Sequence, residues 1–138
     1  MMRKPYSVKD FMTRSLISFS PETSVYDAMK ILIEHGISGG PVLDEEGNLV
    51  GMLSEVDCHK TILDSSYNNY PIETVGDVMS TDLKTVDANM SIHALAEKFL
   101  RNSYRRYPVL ENGNLIGQIS RRDVLIAIQR LREDNNLT

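Results

Sequence analysis

Two short stretches carry the residue types that could hold a polar ligand. One is Gly117-Gln118-Ile119-Ser120-Arg121-Arg122-Asp123 and the other is Gly51-Met52-Leu53-Ser54-Glu55-Val56-Asp57. Each reads as a strand end running into a helix, with the serine as N-cap and the aspartate three residues on. There the carboxylate can reach back to a backbone N–H and sit in the positive field of the helix start. Taken singly, Gly-x-apolar-Ser-x-x-Asp is a capping box with Asp in place of Glu. Two copies in one chain point to a duplication.

The second candidate group is basic. Seven of the nine arginines lie after residue 70, among them the pairs Arg105-Arg106 and Arg121-Arg122. Arg121 and Arg122 fall in a first helical turn, where cations oppose the helix dipole. An anion held at that terminus would account for them, and arginine is the natural fork for phosphate. The competing account has the four arginines solvated, paired with carboxylates such as Asp123 or Glu111, or part of a dimer surface.

Other residues offer less. Cys58 and His59 are adjacent on a helix, so their side chains diverge by about 100° and do not face each other. His35, His59 and His93 have no metal spacing, so no metal is expected. The seven methionines, Met29 and Met90 included, read as core or surface filler. Neither a phosphate-binding Gly-x-x-x-x-Gly-Lys nor a Gly-x-Ser-x-Gly elbow is present.

The surrounding sequence repeats as well. With a shift of 67, Val8, Asp10 and Met12 fall on Val75, Asp77 and Met79, Ser24 falls on Ser91, and Pro41-Val42-Leu43 falls on Pro108-Val109-Leu110. Glu46 is one extra turn residue, after which Gly47, Leu49 and Gly51 match Gly113, Leu115 and Gly117 at a shift of 66. Each half predicts a short helical turn (8–12, 75–79) and then β-α-β-β-α. The first strands are expected at 16–19 and 83–86. Ser24 and Ser91 cap helices whose inward stripes are Val25, Ala28, Met29, Leu32, Ile33 and Ile92, Leu95, Ala96, Phe99, Leu100. Hairpins follow around 44–48 and Asn112-Gly113. The last helices span 55 to about 63 and 121 to about 132, the latter with Val124, Leu125, Ile128 and Leu131 inward. Residues 1–7 read as a loose leader, 64–70 as a linker closed by Pro71, and 134–138 as fraying.

At 138 residues, each half alone would be marginal, so the halves are expected to share one core. A net charge of −4 argues against a general nucleic-acid binder. No apolar run is long enough for a bilayer, and Met1 to Tyr6 has no signal-peptide pattern. One cysteine rules out an intramolecular disulfide, which makes the cytoplasm the expected compartment.

These repeats resemble CBS motifs, named for cystathionine β-synthase. The second carries Val75-x-Asp77-Val78-Met79, Thr85-Val86, Ser91-Ile92, Tyr107-Pro108-Val109, Leu115-Ile116-Gly117 and Ser120-x-x-Asp123. The first carries Val8-x-Asp10-Phe11-Met12, Pro41-Val42, Leu49-Val50-Gly51 and Ser54-x-x-Asp57. The resemblance covers about residues 7–132 and implies a free-standing CBS pair, or Bateman module. That is an α+β, sandwich-like fold of two tandem β-α-β-β-α motifs related by pseudo-two-fold symmetry. The motifs would span 7–63 and 75–132, with 64–74 as linker.

The resemblance also implies a function: no enzyme, but a regulatory module. It would sense an adenosyl ligand, such as AMP, ADP, ATP or S-adenosylmethionine, in clefts between the repeats. No other cofactor is implied. Carried over by position, Asp57 and Asp123 would take the ribose hydroxyls, and Ser54 and Ser120 the phosphate side. Ser18 and Thr85 would touch the base edge or phosphate. Ser38, Gly39, Gly40 and Pro41, together with Tyr104, Arg105, Arg106, Tyr107 and Pro108, would line the adenine and phosphate region. Leu53, Ile119 and Arg122 complete the set. Arg105-Arg106 stands where the first repeat is read to have Gly39-Gly40. The other reading is a docking or dimerisation module with no nucleotide. Either way a homodimer and a regulated partner protein are expected, and no nucleic acid or membrane.

Overall fold

The computed structural model describes residues 6–68 and 73–136. The expectations for residues 1–5, for 69–72 at the end of the linker and for 137–138 lie outside the described residues. The chain forms two compact units. One runs Ile17–Leu83; the other joins the chain up to Leu16 to the chain from Lys84 onward.

In the Ile17–Leu83 unit, α1 (Val25–His35) starts where Ser24 Oγ accepts the Asp27 N–H at 3.1 Å and ends at Gly36, whose φ of 62° is left-handed. The strands β1 (Gly39–Leu43) and β2 (Leu49–Ser54) pair antiparallel, with Gly39 opposite Ser54. Then come α2 (Glu55–Asn68) and the short α3 (Val75–Val78). The core gathers Phe19, Val25, Ala28, Leu32, Val42, Leu53, Cys58 and Val75.

The two-segment unit begins with a 3-10 turn at Val8–Asp10. It continues with β3 (Val86–Asp87), α4 (Ile92–Arg101), β4 (Arg106–Glu111), β5 (Asn114–Ser120) and α5 (Arg121–Asn136). The sheet order is β3-β4-β5, β3 parallel to β4 and β4 antiparallel to β5, with Arg106 opposite Ser120. Asn112 and Gly113, with φ of 53° and 82°, make the tight turn that the Asn-Gly pair predicts. Ser91 Oγ accepts from the Ala94 N–H at 3.1 Å to open α4.

The repeats in sequence and the units in space are different partitions, because the opening turns are exchanged. Val8 of the first repeat is fully buried with Val86, Leu95, Tyr107 and Ile119 of the second. Val75 of the second is fully buried with Val25, Leu32 and Leu53 of the first. Full burial of such a valine stabilises by about 1.5–3 kcal/mol. Backbone bonds hold each turn in place: Val8 N–H to Met90 O at 2.9 Å, and Val75 N–H to Thr23 O at 2.7 Å. The methionine that ends each turn then lies over a glycine of the other repeat. A Cβ on Gly117 would stand 2.8 Å from Met12 Sδ, and one on Gly51 2.3 Å from Met79 Sδ. The single shared core that length predicts is therefore corrected to two core clusters, each completed by the other repeat's turn.

Further differences have local causes. The strand expected at 16–19 is reduced to one parallel bridge, Phe19 with Val42, and that at 83–86 to Val86–Asp87. These are edge segments, and only one or two residues of each meet the hairpin. Helix α2 runs on through 64–68, and α5 reaches Asn136. Neither glycine nor proline intervenes before Pro71 to stop α2. Asp134 is also held, by the Tyr6 hydroxyl. Ile33, Leu100 and Leu125 are 72%, 87% and 67% exposed rather than inward, and Ile128 is also exposed. Ile33 lies about 80° round the helix from Val25 and about 140° from Ala28, off the face that Val25, Ala28 and Leu32 bury.

Candidate functional site

At the start of α2 the Ser54 N–H donates to Asp57 Oδ2 at 2.9 Å, and the Ser54 hydroxyl donates to the same oxygen at 3.0 Å. The Asp57 N–H returns to Ser54 Oγ at 3.3 Å. At the start of α5 the Ser120 N–H donates to Asp123 Oδ2 at 2.8 Å, and the Asp123 N–H to Ser120 Oγ at 3.2 Å. Both motifs are thus reciprocal capping boxes. The same device recurs at Ser7–Asp10 and Thr74–Asp77, so a cap alone marks no ligand. Asp57 and Asp123 differ in being half-buried where Asp10 and Asp77 are exposed. Each cap uses only Oδ2. Among the described residues Oδ1 of Asp57 and of Asp123 has no hydrogen-bond partner, which leaves an acceptor for two vicinal hydroxyls.

The helix-start amides are less available than the sequence reading assumes. The Glu55 N–H donates to Ser38 O at 2.9 Å, and the Arg121 N–H to Arg105 O at 3.1 Å. With the cap bonds, most of the first-turn donors of α2 and α5 are already engaged within the chain. A phosphate at these positions depends on side chains more than on the helix start.

In the Ile17–Leu83 unit, Ser38, Gly39, Gly40 and Pro41 lead into and along β1, against Leu53 and Ser54 of β2. The two glycines have a packing reason. A Cβ on Gly39 would meet Leu53 O at 2.4 Å, and one on Gly40 would meet Ile17 O at 2.8 Å. Leu53 and Pro41 are buried, so a ligand could reach them through little besides backbone. Ser18 is exposed and lines a hollow of about 470 Å³ with Asp44 and Glu45. The Asn48 and Glu46 N–H groups hold the Asp44 carboxyl below its ordinary range. That hollow is acidic, which is unfavourable for phosphate.

In the two-segment unit, Thr85 is half-buried just before β3. Register places Arg106, not Arg105, at the Gly39 position, and Tyr107 at the Gly40 position. The contrast read as Gly39-Gly40 against Arg105-Arg106 is thus corrected by one residue. Tyr107, Pro108 and Ile119 are buried. The Tyr107 ring is 4.9 Å from Phe99 and 5.6 Å from Tyr104, and burial pushes its phenol above the ordinary value, with the Asn102 side chain opposing that shift. Tyr107 is a core residue. Tyr104, Arg105 and Arg122 are exposed, and Arg106 is half-buried.

Arg121 has a task that the sequence reading missed. Its Nη2 donates to Asn102 O at 2.8 Å and to Phe99 O at 3.5 Å, closing the end of α4. Helix α1 ends on Gly36, but Ser103 occupies the equivalent place after α4, so its last carbonyls need another donor. The missing glycine was the available signal. Glu111, one carboxylate considered for the arginines, is 3.8 Å from Lys9. Of the other three arginines, Arg105 and Arg122 are exposed, while Arg106 is half-buried and already has a partner within the chain.

No cluster of metal-ligating side chains occurs among the described residues, and no helix there is long and apolar enough to cross a membrane.

The CBS domain family model matches residues 8–64 and 75–130. The CBS domain-containing protein YhcV of Bacillus subtilis is 31% identical over 121 residues, covering 87% of this chain and 84% of YhcV. The chloroplastic CBS domain-containing protein CBSX2 of Arabidopsis thaliana is 32% identical over 162 residues, covering 96% of this chain and 68% of CBSX2. The crystal structure of CBSX2 in complex with AMP matches with a TM-score of 0.80 over 92% of this chain and 98% of that one. A putative acetoin utilization protein (AcuB) from Vibrio cholerae has the same fold, with a TM-score of 0.82 at 22% identity. With two matched motifs spanning nearly the whole sequence, the chain belongs to the CBS domain family.

Proposed function

We propose that this chain is a regulatory, non-catalytic module that binds an adenosine nucleotide and passes its bound state to a partner protein. The observation that carries the reading is the doubled Ser-x-x-Asp cap. Each aspartate is half-buried, uses one oxygen in the cap and keeps the other for a ligand. The AMP complex of CBSX2, at 32% identity, supports a nucleotide as the ligand class. Asp57 and Asp123 would accept the ribose hydroxyls, Ser54 and Ser120 would stand beside them, and Arg105, Arg106 and Arg122 would meet phosphate. AMP is the first ligand to try, with ADP, ATP and S-adenosylmethionine as the other members of the class. The module works as a homodimer in the cytoplasm, where the single buried Cys58 stays a free thiol.

A thermal-shift screen with AMP, ATP and S-adenosylmethionine tests this. A ligand at about a hundredfold over its Kd adds about 2.7 kcal/mol of stability. A melting temperature unmoved by every adenosyl compound at millimolar concentration would leave the docking reading. The exposed Ile33, Leu100 and Leu125 are the observation that favours that second reading.

A further inference from the structure

The segment 102–105 joins α4 to β4 and brings Tyr104 and Arg105 to the edge of the Ser120–Asp123 cap. Arg106, the first residue of β4, pairs with Ser120. One residue holds the segment at both ends. The Arg121 N–H donates to Arg105 O at 3.1 Å, and the Arg121 guanidinium donates to Asn102 O at 2.8 Å.

The first repeat keeps the backbone tie and lacks the side-chain one. The Glu55 N–H donates to Ser38 O at 2.9 Å, but the Glu55 carboxylate has no donor for a carbonyl. There α1 closes on its own backbone, with Gly36 N–H on Ile33 O and Ile37 N–H on Leu32 O. In the second repeat Ser103 stands in the place of Gly36, and Asn102 leaves α4 extended, with φ of −128° and ψ of 160°. Gly39 opposite Ser54 and Arg106 opposite Ser120 make the two connections equal in length. Arg121 therefore replaces a glycine cap. Its guanidinium lies at the negative end of α4, where a cation is favourable, which accounts for a charge that opposes the dipole of α5.

All four residues of the segment are exposed, so few packing contacts order it. Untied, it would have to be ordered each time a ligand bound, and that cost would come out of the affinity.

We propose that Arg121 is a positioning residue for the nucleotide: it clasps 102–105 so that Tyr104 and Arg105 stand ready beside Ser120 and Asp123. Its own side chain meets carbonyls rather than phosphate. This rests on the nucleotide reading above and adds how the second repeat's site is held ready.

The test is calorimetric titration of AMP against wild type, R121A, and R121A combined with S103G. Alanine keeps the N–H to Arg105 O and removes only the guanidinium tie. In R121A the AMP affinity should fall about tenfold, with the salt dependence of wild type. S103G gives the segment the glycine that closes α1, and should return the affinity to within about threefold of wild type although the guanidinium is still missing. Deuterium exchange of the ligand-free proteins should be faster at 102–105 in R121A and slow again in the combination. An R121A protein that binds AMP like wild type, whatever its melting temperature, would overturn the positioning role and leave Arg121 a helix cap. A loss that S103G does not rescue would also overturn it, and a weaker salt dependence beside that would put Arg121 on the phosphate. A wild type that binds no adenosyl compound would overturn the nucleotide reading itself, and this role with it.

Discussion

Replacing Asp123 by alanine separates the structural and ligand roles of the motif. In the fold the carboxylate accepts one bond, from the Ser120 N–H at 2.8 Å, while the Asp123 N–H to Ser120 Oγ bond survives the substitution. Losing half of the capping box should cost about 1 kcal/mol, a fall of about 4 °C in melting temperature for a chain of this size. If the same carboxylate also takes the ribose hydroxyls, binding loses hydrogen bonds to a charged group, each about 1.5–3 kcal/mol. Affinity should then drop at least tenfold to a hundredfold. Asp123→Asn is the control, since its amide oxygen can keep the cap bond while the charge is gone. Calorimetric titration with AMP and a melting curve on each variant give both numbers. An Asp123→Ala protein that binds AMP like wild type yet melts far lower would show that the aspartate serves the fold alone.

Gly117→Ala should destabilise by about 1–3 kcal/mol through overpacking, because its Cβ would stand 2.6 Å from Thr13 O and 2.8 Å from Met12 Sδ. Adding Met12→Ala should recover part of that loss in denaturant melts, and no recovery would contradict the packing account. Burial, and then the neighbouring Asp57 and Glu55 charges, push the Cys58 thiol above its ordinary value of 9.0. A group with a raised folded pKa contributes stability that is complete below its unfolded pKa and lost as pH rises through the folded one. The melting temperature should therefore be level from about pH 6 to 8 and fall above about pH 9, less steeply in Cys58→Ala. A fall unaltered by that substitution would assign it to other groups, Tyr107 first among them. Native Cys58 should also react slowly with a thiol reagent at neutral pH and quickly once unfolded, and fast native reaction would contradict its burial.

Periodicity made the helices legible: the Ser24 and Ser91 caps, the Gly36 stop and the Asn112-Gly113 turn stand where local chemistry places them. The exchange of turns was not legible. Val8-x-Asp10 and Val75-x-Asp77 look identical whichever core they enter, and so do the methionine–glycine pairs that accompany them, Met12 on Gly117 and Met79 on Gly51. The edge strands were overdrawn because an apolar run gives no sign of how few residues meet the hairpin. At the site, Ser-x-x-Asp was readable both as cap and as ligand, and the structure confirms the cap in each copy. Arg121 was misread because its partners are carbonyls 19 and 22 residues away, which no local pattern marks.

In the proposed function the chain holds an adenosine nucleotide and reads its phosphate through Arg105, Arg106 and Arg122. Titration calorimetry of AMP against adenosine, at low and high salt, tests it most directly. AMP binding should be saturable, tighter than adenosine binding and weaker as salt rises, with the adenosine affinity nearly constant. Equal affinities without salt dependence would remove the arginines from the site. No binding of either compound at millimolar concentration would contradict the account itself.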